Sequence, residues 1–272
     1  QQHDALRSVA TGGLCVITGG PGTGKTTLVR ALLHLVKGLS CRFALCSPTG
    51  RAAQRLAETT REEAATVHRL LKWNAQTGRF VHNAENRLPV DLLIVDESSM
   101  LDIPLAFSLL RAVPAGATVV FVGDVDQLPS VGPGTFLRDV IESGRAKTTR
   151  LHVIFRQAQE SLIISNAHRI NEGHAIRFGE NGKDQDFFFI ERGEVEPLRE
   201  ALLTMAIERV PKKLDCDPVE DIQVLTPMRR GPLGTGELNT LMQEKLNPDG
   251  QRLNPHLPFR LGDKVIQTSN NY

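Results

Sequence analysis

The sequence predicts an α/β fold in which two successive domains are each built on a parallel sheet. Short apolar runs alternate with segments of helical periodicity throughout the first half of the chain. Those runs are apolar on both faces, which is typical of parallel strands covered by helices on both sides. The alternation begins again near Arg150, and 272 residues are enough for two domains of ordinary size.

The first predicted domain covers residues 1–149 and contains four strands. In order they are "LCVIT", "FALCS", "DLLIVDE" and "ATVVFVGD". An amphipathic helix from about Lys25 to Lys37 follows the first strand, and "GRAAQRLAE" forms a helix after the second. In such folds, phosphate-binding loops lie at the carboxyl ends of the strands.

The second predicted domain covers residues 150–272. Its strands are "DFFFI", "DIQVLTP" and "DKVIQT", separated by helices near Leu162–Asn171, Leu198–Arg209 and Gly236–Leu246. The segment "SGRAKTTR" is predicted to join the two domains.

Composition limits the classes of function. With a net charge of +1 there is no global basic field, so any contact with nucleic acid must be local. The four cysteines form no C-x-x-C pair, which disfavours a zinc site and is typical of reduced thiols in a cytoplasmic protein. No apolar run approaches the roughly 20 residues of a membrane span, so no membrane partner is expected. Because the first residue is Gln1 and not Met, we expect a piece of a longer protein.

The stretch "GGPGTGKTT" fits the phosphate-binding pattern G-x-x-x-x-G-K-[ST] completely. Its glycines let backbone N–H groups turn toward phosphates, Lys25 reaches the β and γ oxygens, and the Thr26 hydroxyl is a ligand for Mg²⁺. The alternative is a glycine-rich turn that binds nothing. The predicted nucleotide-binding residues of this stretch are Gly20, Pro21, Gly22, Thr23, Gly24, Lys25, Thr26 and Thr27.

Two further polar segments follow predicted strands. In "LLIVDES", Asp96 is the predicted Mg²⁺ residue and Glu97 the predicted general base that polarises the attacking water. In "VGDVDQLPSVGPG", the amide of Gln127 is a candidate sensor of the γ-phosphate. The alternatives are two acidic residues that end a strand and an ordinary surface loop.

The order of these motifs resembles that of the superfamily 1 helicases, and within them the RecD-like group that moves 5′ to 3′ on DNA. The segments "TGGPGTGKTT", "SPTGRAAQRL", "TVHRLL", "LLIVDESSM", "VGDVDQLPSVGPG", "FRQ" and "VLTPMRRGPLG" occur in the family's order, from about residue 2 to residue 234. A phosphate loop alone is shared with many unrelated enzymes, whereas this combination is specific.

The resemblance implies an ATP-dependent DNA helicase with two RecA-like motor domains, the second one incomplete here, which bind ATP and Mg²⁺ between them. Gln2 matches the family's amino-terminal glutamine, which reads the adenine. Arg156 of "FRQ" matches the arginine that reaches the γ-phosphate from the second domain. Without the family, Arg156 would be a generic surface arginine.

The same resemblance assigns contacts to single-stranded DNA. Each assignment has a simpler alternative: a helix N-cap at Ser47 or Thr49, a structural histidine at His68, and a solvated basic pair at Arg229 and Arg230. The implied DNA-binding residues are Pro48, Thr49, Gly50, Arg51, Thr66, His68, Thr226 and Arg229, with Arg230 beside them.

A β-hairpin insertion is expected at about residues 73–89, where the family has a pin at the duplex junction. Trp73 and Phe80 could stack on a base, with about 1–3 kcal/mol for one good stack. They could equally hold the hairpin against its own domain.

Three features of the family are not among these residues: a Val-His-x-x-Gln-Gly-type segment, a final Thr-Ala-x-Thr-Arg segment and an SH3-like insertion. We therefore expect weak activity from this piece alone, and recombination or repair subunits as possible partners. Three other functions stay open at this point: a P-loop NTPase that acts on protein complexes, the helicase half of a relaxase, and a nucleotide-binding regulatory subunit without activity.

Overall fold

A parallel sheet organises the amino-terminal part of the computed structural model, which describes residues 1–39, 41–153, 160–178, 186–252, 254 and 256–267. In the described residues the sheet has six strands: β1 Leu14–Gly19, β2 Phe43–Ser47, β3 Ala64–Thr66, β6 Leu92–Val95, β7 Thr118–Gly123 and β8 Lys147–Leu151. Their order is β3-β2-β6-β7-β1-β8, and every neighbouring pair is parallel. The predicted α/β class with a parallel sheet is confirmed.

Helices cover both faces of this sheet. Helix α1 Gln2–Ala10 precedes the first strand. The elements between the strands are α2 Lys25–Lys37, α3 Gly50–Thr60, α4 Val67–Leu70, a 3₁₀ turn Ser98–Met100, α5 Ile103–Ala112 and α6 Phe136–Glu142. A further helix, α7 Leu162–Asn171, follows β8. No helix in the described part of the chain is long and apolar enough to cross a membrane.

Alternate side chains of the central strands enter two separate cores, which explains why these strands are apolar on both faces. Along β6, Ile94 packs with α1, α2 and α3, whereas Val95 packs with α4, α5 and α6. The sequence pattern predicted this burial on both faces, and the predicted bounds Lys25–Lys37 and Phe43–Ser47 are those observed.

A two-stranded antiparallel hairpin lies outside the main sheet. Its strands are β4 Trp73–Asn74 and β5 Arg79–Phe80, and Trp73 pairs with Phe80. The turn between them includes Gly78, whose positive φ of 62° suits glycine. The predicted hairpin insertion is therefore present, with strands confined to residues 73–80.

The chain divides into two compact units, Gln1–Phe188 and Phe189–Tyr272. The described residues of the second unit form α8 Val195–Thr204, a π-helical turn Met205–Arg209, α9 Val210–Leu214 and α10 Thr235–Leu246. An isolated antiparallel bridge joins Arg252 and Arg260. The domain boundary predicted near residue 150 stays a prediction.

The predicted strands of the second domain differ from the structure. The segments "DFFFI", "DIQVLTP" and the described part of "DKVIQT" contain no strand. Leu225, Val265 and Ile266 are 86%, 65% and 77% exposed, so their side chains lack the covering layer that a central strand requires. β-propensity is local, whereas a strand forms only where a neighbour pairs with it, and for this reason the pattern misled.

The predicted join "SGRAKTTR" also differs. Its last four residues, 147–150, belong to strand β8. This strand pairs with β1, and Lys147 lies opposite Cys15. The Lys147 ammonium fixes this edge because its Nζ donates to the Thr11 Oγ1 at 2.8 Å and to the Gly12 carbonyl at 2.7 Å. An edge strand can be polar on its solvent side, so the polar residues of this segment are compatible with a strand.

Candidate nucleotide and DNA site

The predicted motifs of the first unit lie along one edge of the sheet. The phosphate-binding loop follows β1, the Asp96–Glu97 pair follows β6, and the Gln127 loop follows β7. The segment "SPTGRAA" begins at the end of β2, and "TVHRLL" at the end of β3. Because all the strands are parallel, these five segments meet at the carboxyl edge in the order of the sheet. The nucleotide motifs occupy one half of the edge and the DNA motifs the other.

The phosphate-binding loop has a conformation that requires glycine. Gly22 and Gly24 have positive φ angles of 73° and 83°, and Gly24 is the residue before the first turn of α2. A left-handed residue at that point turns the chain sharply, so Lys25 opens a helix whose amino-terminal N–H groups lack intrahelical acceptors. Such an end attracts an anion through its N–H groups and its dipole.

Lys25 is held at this loop by backbone carbonyls. Its Nζ donates to the Gly19 oxygen at 2.5 Å and to the Gly20 oxygen at 3.0 Å, while the buried Thr23 Oγ1 donates to the Gly20 oxygen at 2.8 Å. A Cβ on Gly19 would lie 2.6 Å from the Leu151 oxygen, so only glycine fits there. The ammonium is thus already positioned beside the space that the loop encircles.

Asp96 and Glu97 form a shielded acidic pair. The Asp96 N–H donates to the Cys46 carbonyl at 2.9 Å, and Glu97 has a positive φ of 51° as the chain turns from β6 into the 3₁₀ turn. Burial raises the pKa of the Asp96 carboxyl, against the lowering effect of the Glu97 N–H and of the positive charges of Lys25 and Arg55. Burial and then the charge of Asp96 raise the pKa of the Glu97 carboxyl.

A third carboxylate, which the sequence analysis did not select, completes this group. Asp124 directly follows β7, is 2% exposed, and its charge also raises the pKa of Glu97. Its oxygens accept from the Asp126 N–H at 3.1 Å and from the Gln127 Nε2 at 3.3 Å. The signal was available, because Asp124 follows a buried strand as Asp96 does. Gln127 is exposed, and its amide is oriented by Asp124.

The predicted DNA segments begin two helices. The Thr49 Oγ1 accepts from the Ala52 N–H at 3.3 Å, and the Thr66 Oγ1 accepts from the Arg69 N–H at 3.1 Å. The alternative that Thr49 is an N-cap is therefore observed. Beyond the Thr49 cap the surface is open, since a Cβ on Gly50 would meet nothing within 4 Å and Arg51 is exposed.

His68 lies in an aromatic cluster with the hairpin. Its ring centroid is 6.3 Å from that of Trp73 and 5.7 Å from that of Phe80, and those two rings are 4.7 Å apart. Burial lowers the pKa of His68, although the charge of Asp102 opposes this effect. The aromatic residues therefore hold the hairpin against its own unit, and stacking on a base stays a prediction.

The remaining predicted residues lie elsewhere. Gln2 is the first residue of α1, and Arg156 lies outside the described residues. In the second unit, the Thr226 Oγ1 donates to the Leu233 carbonyl at 2.7 Å within the turn that precedes α10. Arg229 and Arg230 of that turn are exposed. The DNA contact predicted for these residues stays a prediction.

The residues at the nucleotide half fit a nucleoside triphosphate with Mg²⁺. A loop in which glycines are required and a lysine is already positioned suits phosphate, and the exposed Thr26 hydroxyl begins the same helix. Asp96 and Glu97 add the oxygen donors that Mg²⁺ prefers. In the described residues there is no cluster of three or more His, Cys, Asp or Glu side chains that could hold a metal ion.

Comparison with known proteins agrees with the motifs. A family model described as an AAA domain matches residues 2–133. The chain is 41% identical over 274 residues to the ATP-dependent RecD2 DNA helicase of Deinococcus radiodurans, covering 100% of this chain and 36% of that protein. It is 32% identical over 305 residues to the RecBCD enzyme subunit RecD of Mycolicibacterium smegmatis, covering 100% of this chain and 54% of that protein.

A solved structure, the Pif1 helicase from Candida albicans, overlaps 62% of this chain and 43% of its own, with 25% identity and a TM-score of 0.47. The chain spans about a third of the length of the RecD2 helicase and about half of the length of the RecD subunit described above.

Proposed function

Because this chain is RecD-like along its whole length, we propose that it carries the motor of an ATP-dependent DNA helicase that translocates on single-stranded DNA. The observation that carries this proposal is the order of the motifs along one sheet edge. The phosphate loop and the carboxylates occupy adjacent strand ends, and the segments assigned to DNA occupy the next two.

The nucleotide half would bind ATP through the loop of Gly20–Thr27. Lys25 would exchange its two carbonyl acceptors for phosphate oxygens, which are stronger acceptors because they are charged. Thr26 and Asp96 would hold Mg²⁺, which neutralises charge on the phosphates when bound.

Hydrolysis itself would depend on residues at the ends of β6 and β7. Glu97 would act as the base for the attacking water, and its pKa, which burial and then the charge of Asp96 raise, would favour proton uptake. Gln127, oriented by Asp124, would contact the γ-phosphate. From the RecD likeness, we also propose that Gln2 reads the adenine and that Arg156 contacts the γ-phosphate.

The DNA half would bind the sugar–phosphate backbone of a single strand. Residues Pro48–Arg51 present an exposed helix start with one arginine, and Thr66 and His68 follow on the neighbouring strand end. Thr226 and Arg229 would add contacts from the second unit. Such contacts give affinity without sequence preference, as a translocating protein requires.

The DNA half and the nucleotide half are joined by two strands that pair with each other. β2, which leads into the DNA segment, pairs directly with β6, and Asp96 follows the last residue of β6. A displacement of the Thr49 helix start would therefore act on the neighbouring strand end that carries the carboxylates. We further propose, from the RecD likeness, 5′ to 3′ movement, a role in DNA recombination or repair, and partner subunits for that role.

ATP hydrolysis by the full-length protein that contains this chain, with and without a single-stranded oligonucleotide, tests the proposal. We expect strong stimulation by DNA, and loss of essentially all hydrolysis in Lys25→Ala, because the ammonium is central to phosphate binding. Lys37→Ala is the control, since Lys37 lies at the other end of α2 in an exposed ion pair with Glu62.

Hydrolysis that is indifferent to DNA would contradict the translocase and favour an NTPase that acts on protein complexes. Nucleotide binding without any hydrolysis would favour a regulatory subunit.

A further inference from the structure

Helix α7 places a histidine against the phosphate-binding loop. The His168 Nε2 lies 3.3 Å from the Pro21 carbonyl oxygen, although the two residues are 147 positions apart in the chain. A Cβ on Gly20 would lie 2.5 Å from the His168 Cε1, so the imidazole packs directly on the loop backbone. None of the loop's sequence features indicates this contact.

The helix that carries His168 is firmly anchored. Ser161 caps it, its Oγ accepting from the Ile164 N–H at 3.2 Å. Asn166, which is 2% exposed, makes two hydrogen bonds to the Arg177 backbone at 2.7 and 2.8 Å. Asp186 accepts from the Leu162 N–H at 2.8 Å. Helix α7 is therefore a fixed element, and it holds the His168 imidazole in place at the loop.

The contact orients one amide of the loop. A carbonyl oxygen can only accept, so Nε2 must carry the proton for the hydrogen bond with Pro21. In a planar trans peptide the C=O and the following N–H point in opposite directions, so fixing the Pro21 oxygen also fixes the Gly22 N–H. Pro21 has no N–H of its own, which makes the Gly22 amide the first donor that this part of the loop can offer to a phosphate.

The three successive carbonyls of the loop are held by different partners. Lys25 holds those of Gly19 and Gly20, and it would release them when it moves to a phosphate oxygen. His168 has no proposed contact with a phosphate, so it would keep its hydrogen bond to the Pro21 oxygen. When Lys25 moves, the Gly20 oxygen would therefore keep its hydrogen bond from the Thr23 Oγ1, and the Pro21 oxygen would keep the one from His168.

We propose that His168 is a positioning residue for nucleotide binding, which keeps the Gly22 amide directed at the phosphates from a helix outside the recognised motifs. This inference rests on the proposed function of the loop as an ATP site. It predicts an effect on affinity and little effect on the rate of the chemical step, because His168 contacts the loop backbone and none of the carboxylates.

The first experiment measures binding of ADP with Mg²⁺ by calorimetry to the full-length protein. We expect His168→Ala to bind ADP about 3- to 10-fold more weakly, as expected for one lost hydrogen bond. His168→Gln, whose amide nitrogen can replace Nε2, should recover most of the affinity. His174→Ala is the matched control, since His174 is exposed just beyond α7. In kinetics, His168→Ala should raise the KM for ATP with kcat nearly unchanged.

A double-mutant cycle tests the packing on Gly20. Gly20 does not have a positive φ, so alanine is acceptable to the backbone and the obstacle is the imidazole itself. Gly20→Ala should therefore weaken ADP binding strongly with His168 present and several-fold less in the His168→Ala background. Equal effects in both backgrounds would contradict the contact.

The outcomes separate this inference from the proposed function. Equal ADP affinity of wild type and His168→Ala, with normal binding by both, would overturn the role of His168 and leave the ATP site intact. Failure of the wild-type protein to bind ADP would overturn the ATP site and the role of His168 with it.

Discussion

The two halves of the carboxyl edge are built in different ways. At the ends of β1, β6 and β7, three polar groups are buried or held: Thr23 and Asp124 are almost inaccessible, and Lys25 is fixed by two carbonyls. At the ends of β2 and β3, the threonine hydroxyls cap helices and Arg51 projects into solvent. A preorganised half suits chemistry, which requires fixed donors, whereas an exposed half suits a ligand that must be bound and released repeatedly.

Substitution of Glu97 should produce the largest difference between the halves. Glu97→Gln keeps the size of the side chain and removes the base, so we expect ATP hydrolysis to fall by about 10²- to 10⁴-fold. Binding of ADP and of single-stranded DNA should change little. Steady-state hydrolysis and calorimetry on the same preparation measure both quantities.

Glu142→Gln is the control for this substitution, because Glu142 is exposed at the end of α6. If Glu97→Gln retained hydrolysis within a few-fold of wild type, another group would have to be the base, and Asp124 would be the first to examine.

Substitution of Arg51 should have a smaller effect, confined to the DNA half. Arg51→Gln removes one exposed cation, so we expect weaker binding of oligonucleotides of any sequence and a salt dependence reduced by about 0.7 in the slope of log K against log salt. ADP affinity should be unchanged. Fluorescence anisotropy at several salt concentrations measures the slope.

Arg30→Gln on the exposed side of α2 provides the matched loss of charge at the nucleotide half. An equal change of slope in Arg30→Gln and Arg51→Gln would remove the distinction between the halves as far as DNA is concerned.

The sequence predicted the elements of this edge better than the contacts across it. The phosphate-binding loop Gly19–Thr27 is one continuous segment, and so is strand β6 with the Asp96 that follows it. Their motifs are therefore local and could be recognised. The contact between His168 and Pro21 joins positions far apart in the chain, and no periodicity encodes it. The strands predicted after residue 186 failed for a related reason, because pairing depends on a neighbour that the segment itself does not specify.

Substitution of His68 should have the smallest effect and is the most specific test. His68 belongs to the DNA half, but its side chain is partly buried, as polar groups of the nucleotide half are. Its imidazole is partly buried against Trp73 and Phe80, and its pKa is lowered by burial, with Asp102 as the opposing charge. The neutral ring is thus favoured in the folded protein, and a DNA contact by His68 at neutral pH would use hydrogen bonding or stacking.

The sign of the pH dependence follows from that lowered pKa. The unfolded chain takes up the proton of His68 first, at its ordinary value of 6.5, so this contribution to stability is present above that pH and is lost as the pH falls through the folded-state pKa. His68→Phe keeps a ring in the cluster without a titrating group. The free energy of unfolding, measured by urea denaturation at pH 7.5 and again below pH 6, should therefore decrease less in His68→Phe than in wild type. An equal decrease in wild type and His68→Phe would mean that folding does not lower the pKa of His68, and that the burial of its ring against Trp73 and Phe80 does not contribute to the pH dependence.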